Sequence, residues 1–140
     1  MNWLQENSAT LLMVVAVLMF VMRGPVLARL VGVEPLSVHD LAKRLASATP
    51  PLLLDVRSRP EFEAGHLPQA LLVPLPELRQ HMDALRQRPD IGTVAVICQS
   101  GNRSLHGSVL LKRAGFVQVF NVVGGMNNWK VQGYPVRGRS

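Results

Sequence analysis

Cys98 is the only cysteine in the chain, and its neighbours are unusual for a structural thiol. In VAVICQSGNRS, residues 94 to 104, an apolar run delivers it, Ser100 and Gly101 follow, and Arg103 stands five positions on. A free cysteine is ordinarily a small buried hydrophobe without reactivity. The order strand, cysteine, glycine-containing loop, arginine and helix suits a thiolate nucleophile instead. Backbone N–H groups of such a loop turn toward a point above the sulfur and form an anion site without charged side chains. The same field lowers a thiol pKa. The candidate anion loop is Gln99, Ser100, Gly101, Asn102, Arg103 and Ser104. Gly101 permits a conformation that a Cβ penalises, and Arg103 adds a charge held in the loop or directed at an acidic partner.

Two further residues are expected at the same sheet edge. Asp55 and Arg57 follow the apolar run LLL. Asp55 is a candidate to pair with Arg103 or to cap the following helix. A carboxylate against the sulfur would raise the thiol pKa, so Asp55 is expected one layer away from Cys98. Arg57 is expected to face the mouth of the site. His39, His66, His81 and His106 fall in no metal-binding spacing, so neither a metal nor another cofactor is expected. His66 reads as a turn residue, His106 as solvated or structural, and Phe116 and Trp129 as core.

The elements that must position these residues alternate. Ser37 and Asp40 mark a helix start, and Leu52–Val56 reads as a strand buried on both faces. EFEA is a short helix ended by Gly65, and residues 70 to 73 form a strand. Leu75, Leu78, Met82 and Leu85 form one apolar helix face. TVAVIC is the most strand-like segment. RSLHGSVLLKR is a helix ended by Gly115, FVQVFNVV a strand and GGMNNWKVQG a final helix. Alternating strands and helices imply an α/β domain with a mostly parallel sheet, and Cys98 then lies at a strand's carboxyl end, where ligands of open sheets bind.

The chain's 140 residues suit one compact domain. Its net charge is +6, and half of that excess comes from Arg23, Arg29, Arg137 and Arg139 against Glu6, outside the domain. With seven aromatics and no basic stripe, nucleic acid is not an expected partner. Residues 8–22 carry no charge and end at Arg23. Fifteen helical residues reach about 22 Å against about 30 Å of hydrocarbon, and reaching back through Leu4 to Trp3 supplies the rest. The expected organisation is a flank at 1–7, a transmembrane or signal-anchor helix at 8–22, a linker at 23–33, the domain at 34–136 and a basic tail at 137–140. A cleaved signal peptide wants a basic start, which MNWLQEN lacks. Arg23 and Arg29 after the span predict a single pass of bacterial inner-membrane type, with the N-terminus outside and the domain cytoplasmic, where a lone thiol stays reduced.

Three stretches, in order, resemble the single-domain rhodaneses: LLDVRSRPEFEAGHLPQA (53–70), CQSGNRS (98–104) and LLKRAGFVQVFNVVGGMNNWKVQGYP (110–135). The resemblance implies a five-stranded, mostly parallel sheet with helices on both faces, and Cys98 as the nucleophile of a sulfurtransferase. It further implies that Cys98 takes sulfane sulfur from a small sulfur-containing anion such as thiosulfate, or from a polysulfide or protein persulfide. Cys98 then holds it as a persulfide steadied by the loop amides and yields it to a thiol acceptor or cyanide. Two positions depart from the family pattern. Gln99 stands where arginine is frequent, and Gln69 where a turn glycine is usual. The alternatives are a non-catalytic, membrane-tethered binding module of the same fold, and a cysteine phosphatase or arsenate reductase. The latter needs five residues between cysteine and arginine, where this chain has four. Nothing in the sequence indicates an oligomeric state.

Overall fold

The computed structural model describes Trp3, residues 7–89 and residues 91–138. Leu4, Gln5 and Glu6 of the expected flank, and Arg139 and Ser140 of the tail, lie outside the described residues.

Five parallel strands form one sheet: β1 (Glu34–Leu36), β2 (Leu52–Asp55), β3 (Leu71–Leu72), β4 (Thr93–Ile97) and β5 (Gln118–Val122), in the order β1-β5-β4-β2-β3. The short period of the strands sorts their side chains onto two faces. Leu52, Leu54, Val94, Val96 and Cys98 pack on one side with Leu78, Met82, Leu85 and Leu111. Leu53, Ala95 and Ile97 pack on the other with Val38, Leu41, Met126 and Trp129. The helices therefore divide between the faces. α4 (Leu78–Arg86) and α5 (Asn102–Arg113) cover the first; α2 (Val38–Leu45) and α6 (Gly125–Val131) cover the second. The one-turn 3-10 helix Leu75–Glu77 leads into α4, and α3 (Arg59–Ala64) follows β2. This is the α/β architecture expected of the sequence.

Gln69 needs no glycine-like backbone: every described residue with positive φ is a glycine, and the turn closes through Ala70 N–H on Leu67 O at 3.0 Å.

The N-terminal helix α1 runs Ser8–Leu30. The span was expected to end at Met22 and a linker to fill 23–33, but the helix continues through Gly24 and Pro25 as far as Leu30. The cause is tertiary packing, which overrides the weak helix propensity of these residues. Ala28, the helix's one buried residue, joins Val33 and Val109 in a separate apolar cluster, and Leu105 of α5 packs against it. Val33 N–H donates to Ala28 O at 2.9 Å and turns the chain into β1. By length and composition α1 is apolar enough to cross a membrane.

Candidate functional site

β4 delivers Cys98 to the carboxyl edge of the sheet, where the residue is only 1% exposed. Its Sγ lies 3.1 Å from the Gly101 N–H and 3.3 Å from Ser104 Oγ. Gly101 is the N-cap of α5 with φ of 104°, a conformation costly for any residue with a Cβ, and no side chain caps the helix. The first amides of α5 are thus left for the sulfur and whatever the sulfur binds. Burial pushes the Cys98 thiol pKa up. The Ser104 hydroxyl and the amides of Ser104, Gly101 and Ser100 outweigh that effect and hold the thiol below its ordinary value.

The loop is held from behind by α6. Met126 N–H donates to Cys98 O at 2.9 Å and Asn127 N–H to Gln99 O at 3.0 Å. Both approaches depend on Gly125, with φ of 54°, because a Cβ there would stand 2.3 Å from Cys98 O. Asn121 of β5 completes the support. Ser104 Oγ–H donates to Asn121 Oδ1 at 2.6 Å, and Asn121 Nδ2 donates to Gly101 O at 3.4 Å. A lone buried amide in the apolar run VFNVV requires partners, and that was the available signal for Asn121, which sequence reasoning missed.

The charged residues are arranged differently from expectation. Asp55 does not pair with Arg103. It takes Arg57 instead, with Nε 3.0 Å from Oδ1 and Nη2 2.8 Å from Oδ2. Nor does Arg57 face the mouth: it is 1% exposed, and its guanidinium also donates to Gly65 O at 2.7 Å and Gln99 Oε1 at 3.2 Å. The planar fork of arginine suits it to such a buried junction. Arg103 is held by Glu61 of α3 through paired bonds of 2.7 and 2.8 Å. The Arg103 hydrogen bond pulls the Glu61 pKa down to about 2 against the opposing effect of burial, with Ser58 adding to the lowering. Glu61 was read only as the first residue of the short helix EFEA; its ion pair bridges segments 42 positions apart in the chain.

The remaining loop side chains point elsewhere. Gln99 Nε2 donates to Asn127 Oδ1 at 2.6 Å, and Ser100 and Asn102 are exposed. His66 accepts its turn role through Nδ1 near Phe62 O, and His106 is exposed. A cavity of about 300 Å³ lies between the end of α1 and the loop, bounded by Pro25, Ala28, Arg29, Gly101, Leu105 and Asn121. The site therefore presents a lowered-pKa thiol, a set of inward amides and two arginines already neutralised by carboxylates.

Comparison with known proteins follows this geometry. The model of the rhodanese-like domain matches residues 37–132. A sulfurtransferase of Allochromatium vinosum is 31% identical over 104 residues, which are 74% of this chain and 94% of that protein. YrkF of Bacillus subtilis is 32% identical over 98 residues, 70% of this chain and only 51% of that relative's length. The crystal structure of a rhodanese-related protein from Thermoplasma volcanium superposes with a TM-score of 0.65 at 30% identity, covering 76% of this chain and 99% of that one.

Proposed function

The chain belongs to the rhodanese-like domain family, and we propose that it is a sulfurtransferase that carries sulfane sulfur on Cys98. The observation that carries this reading is the convergence of the Gly101 amide and the Ser104 hydroxyl on Sγ at the uncapped start of α5. The relative from Allochromatium vinosum, matched over nearly its whole length, supports the same class of activity.

In this reading the Cys98 thiolate attacks the terminal sulfur of a sulfane donor. The donor's S–S bond breaks, an Sγ–S bond forms and the remainder of the donor leaves with the electron pair. The persulfide anion takes over the amide cradle, and an acceptor thiolate or cyanide removes the outer sulfur by the reverse type of displacement. With the thiol pKa held below its ordinary value, the displacement calls for no separate general base. Gln99, Ser100, Gly101, Asn102, Arg103 and Ser104 shape the cradle; Asp55 and Arg57 brace it from beneath.

α1 is proposed as a single-pass membrane anchor. The stretch before its docked last turns, residues 8–22, is uncharged, and Arg23 and Arg29 follow it, which supports a cytoplasmic domain under the positive-inside rule. Docking of its last turns on α5, through Ala28 and Leu105, supports a sulfur donor or acceptor at the membrane surface.

Detergent-purified full-length protein, incubated with a sulfane donor and weighed intact, is expected to gain one sulfur atom on Cys98, and Cys98→Ser to gain none. A wild-type protein that no sulfane donor labels would leave the non-catalytic binding module as the reading. For the anchor, recovery of the full-length chain in the soluble fraction of lysed cells would sink the proposal.

A further inference from the structure

We infer that Asn121 is a positioning residue for the thiol: it competes with the Cys98 sulfur for the one proton of the Ser104 hydroxyl and so holds back the ionisation of Cys98. The consequence for turnover rests on the sulfur-transfer reading above. Three polar groups form a chain with one direction. Cys98 Sγ–H donates to Ser104 Oγ at 3.3 Å, and Ser104 Oγ–H donates to Asn121 Oδ1 at 2.6 Å. The far end of the chain is fixed. Asn121 Nδ2 donates to Gly101 O at 3.4 Å, and a carbonyl can only accept, so the amide oxygen is the atom that faces Ser104. Turning the amide over would set Oδ1 against Gly101 O, acceptor against acceptor. Asn121 is 8% exposed, and its Oδ1 has no second donor among the described hydrogen bonds.

Ionisation reverses this order. Once Sγ has given its proton to solvent it can only accept, and Ser104 Oγ–H must swing from Oδ1 to Sγ to serve it. The hydroxyl has one proton, so Oδ1 then becomes a buried acceptor without a donor, and that cost falls on the thiolate state alone. The Gly101 N–H, 3.1 Å from Sγ, takes no part in the contest. Burial raises the thiol pKa and the Ser104 hydroxyl is the largest influence against it, so whatever occupies that hydroxyl limits the thiolate. The charges near Cys98 stand outside the chain of bonds. β2 is followed by the Asp55–Arg57 pair, α3 and α5 bring Glu61 with Arg103, and α1 brings Arg29 to the cavity beside the loop, with no carboxylate partner among the described ion pairs. α6 meets the loop through the backbone N–H groups of Met126 and Asn127, and α4 packs on this side through Leu78, Met82 and Leu85. The restraint has a use. A thiolate loses nucleophilicity as its pKa falls, and attack is fastest when the pKa lies near the ambient pH. Asn121 keeps the lowering of the Cys98 pKa from running past that point.

The test reads the thiolate directly. Cys98 is the only cysteine, so the pH-dependent ultraviolet absorbance of thiolate in the full-length protein in detergent belongs to it once the Cys98→Ser curve is subtracted. Asn121→Leu leaves every charge in place and removes the competing acceptor. Its titration midpoint is expected about one pH unit below that of the wild type, the tenfold worth of an ordinary hydrogen bond. Without the Ser104 hydroxyl there is no proton to compete for. In a Ser104→Ala background the same substitution should therefore move the midpoint less than about half as far, as coupling through a shared group requires. Timed sulfur uptake, followed by intact mass, should become about threefold faster at pH values well below the midpoints and about threefold slower on the high-pH plateau, because the gain in thiolate is partly offset by lost nucleophilicity. A loss of packing alone would slow uptake at every pH. Asn121→Val, β-branched and suited to a strand, carries the same test if the leucine variant does not fold. A midpoint that stays or rises in the folded variant, or one that moves equally far without Ser104, would overturn the inference while leaving sulfur transfer in place. A lowered midpoint in a protein that no sulfane donor labels would uphold the competition for the proton and remove the sulfur-transfer reading instead.

Discussion

The ends of β2 and β4 are neighbours on one sheet edge, and each feeds a helix, yet they are finished in opposite ways. After β2 the polar groups satisfy one another. Asp55 and Arg57 form a buried pair, and Ser58 accepts from the Glu61 N–H while Glu61 reaches back to the Ser58 N–H, a complete capping box. After β4 the helix begins on a glycine in the left-handed region, with no side-chain cap. Its free amides are the anion site. The difference shows that the capped end supports and the uncapped end reacts: a helix start becomes chemically useful when no side chain of its own chain closes it.

The largest effect is expected at the closed end. Asp55→Ala leaves a guanidinium unpaired at 1% exposure and should cost about 3–5 kcal/mol in urea unfolding. A cost below that of an ordinary surface ion pair would show that the two ends are not built differently. At the open end, Gly125→Ala forces a Cβ to within 2.3 Å of Cys98 O. A loss of about 1–3 kcal/mol is expected, together with slower sulfur uptake that Asp55→Ala should not match at equal residual stability.

Ser104→Ala sharpens the contrast by pH. Thiolate, and with it the rate of sulfur uptake, rises as pH climbs through the Cys98 pKa. Because the Ser104 hydroxyl is the largest of the effects that lower this pKa against burial, its removal should move the rate profile to higher pH. About tenfold slower labelling at neutral pH corresponds to one unit of such movement. An unmoved profile would assign the lowering to the amides alone. Ser58→Ala should cost about 1 kcal/mol, the ordinary worth of a cap, and leave that profile in place.

The smallest effect belongs to Glu61 and Arg103, whose side chains are 34% and 40% exposed. The Glu61 pKa is lowered from 4.5 to about 2. The pair's contribution is therefore present above pH 4.5 and is lost as pH falls toward 2. Solvent screening keeps it below about 1 kcal/mol, so Glu61→Gln should flatten only a shallow acid limb of the stability curve.

The sequence made the scaffold legible wherever local pattern and burial agree. LLLD and TVAVI are apolar runs too short for helices, and both are buried central strands. Ser37 announces the helix it caps, whereas the Ser58 capping box emerges only in the structure. The cysteine and its loop were legible because the chemistry is local, contained within one strand–loop–helix. The partners of the arginines were not. An arginine after a strand reads as solvent-facing, whereas Arg57 is folded inward by Asp55 two residues before it and by Gly65 O. Arg103 finds Glu61 across a sequence separation of 42, a pairing that only the fold creates. The extension of α1 past Pro25 was hidden because Gly24 and Pro25 read as a stop, whereas Ala28 beyond them packs with Val33 and Val109.

The bonds from α6 to the carbonyls of Cys98 and Gln99 also set the direction in which the loop is wired. A trans peptide carries its C=O and N–H on opposite sides. Turning those two carbonyls toward α6 turns the N–H groups of Gln99 and Ser100 away from it. The polarity over the sulfur is thus chosen by a segment that the ribosome makes after the thiol. The thiol and the segment that orients its loop therefore belong to one cooperative unit, and damage to Gly125–Val131 reaches Cys98 without touching its side chain.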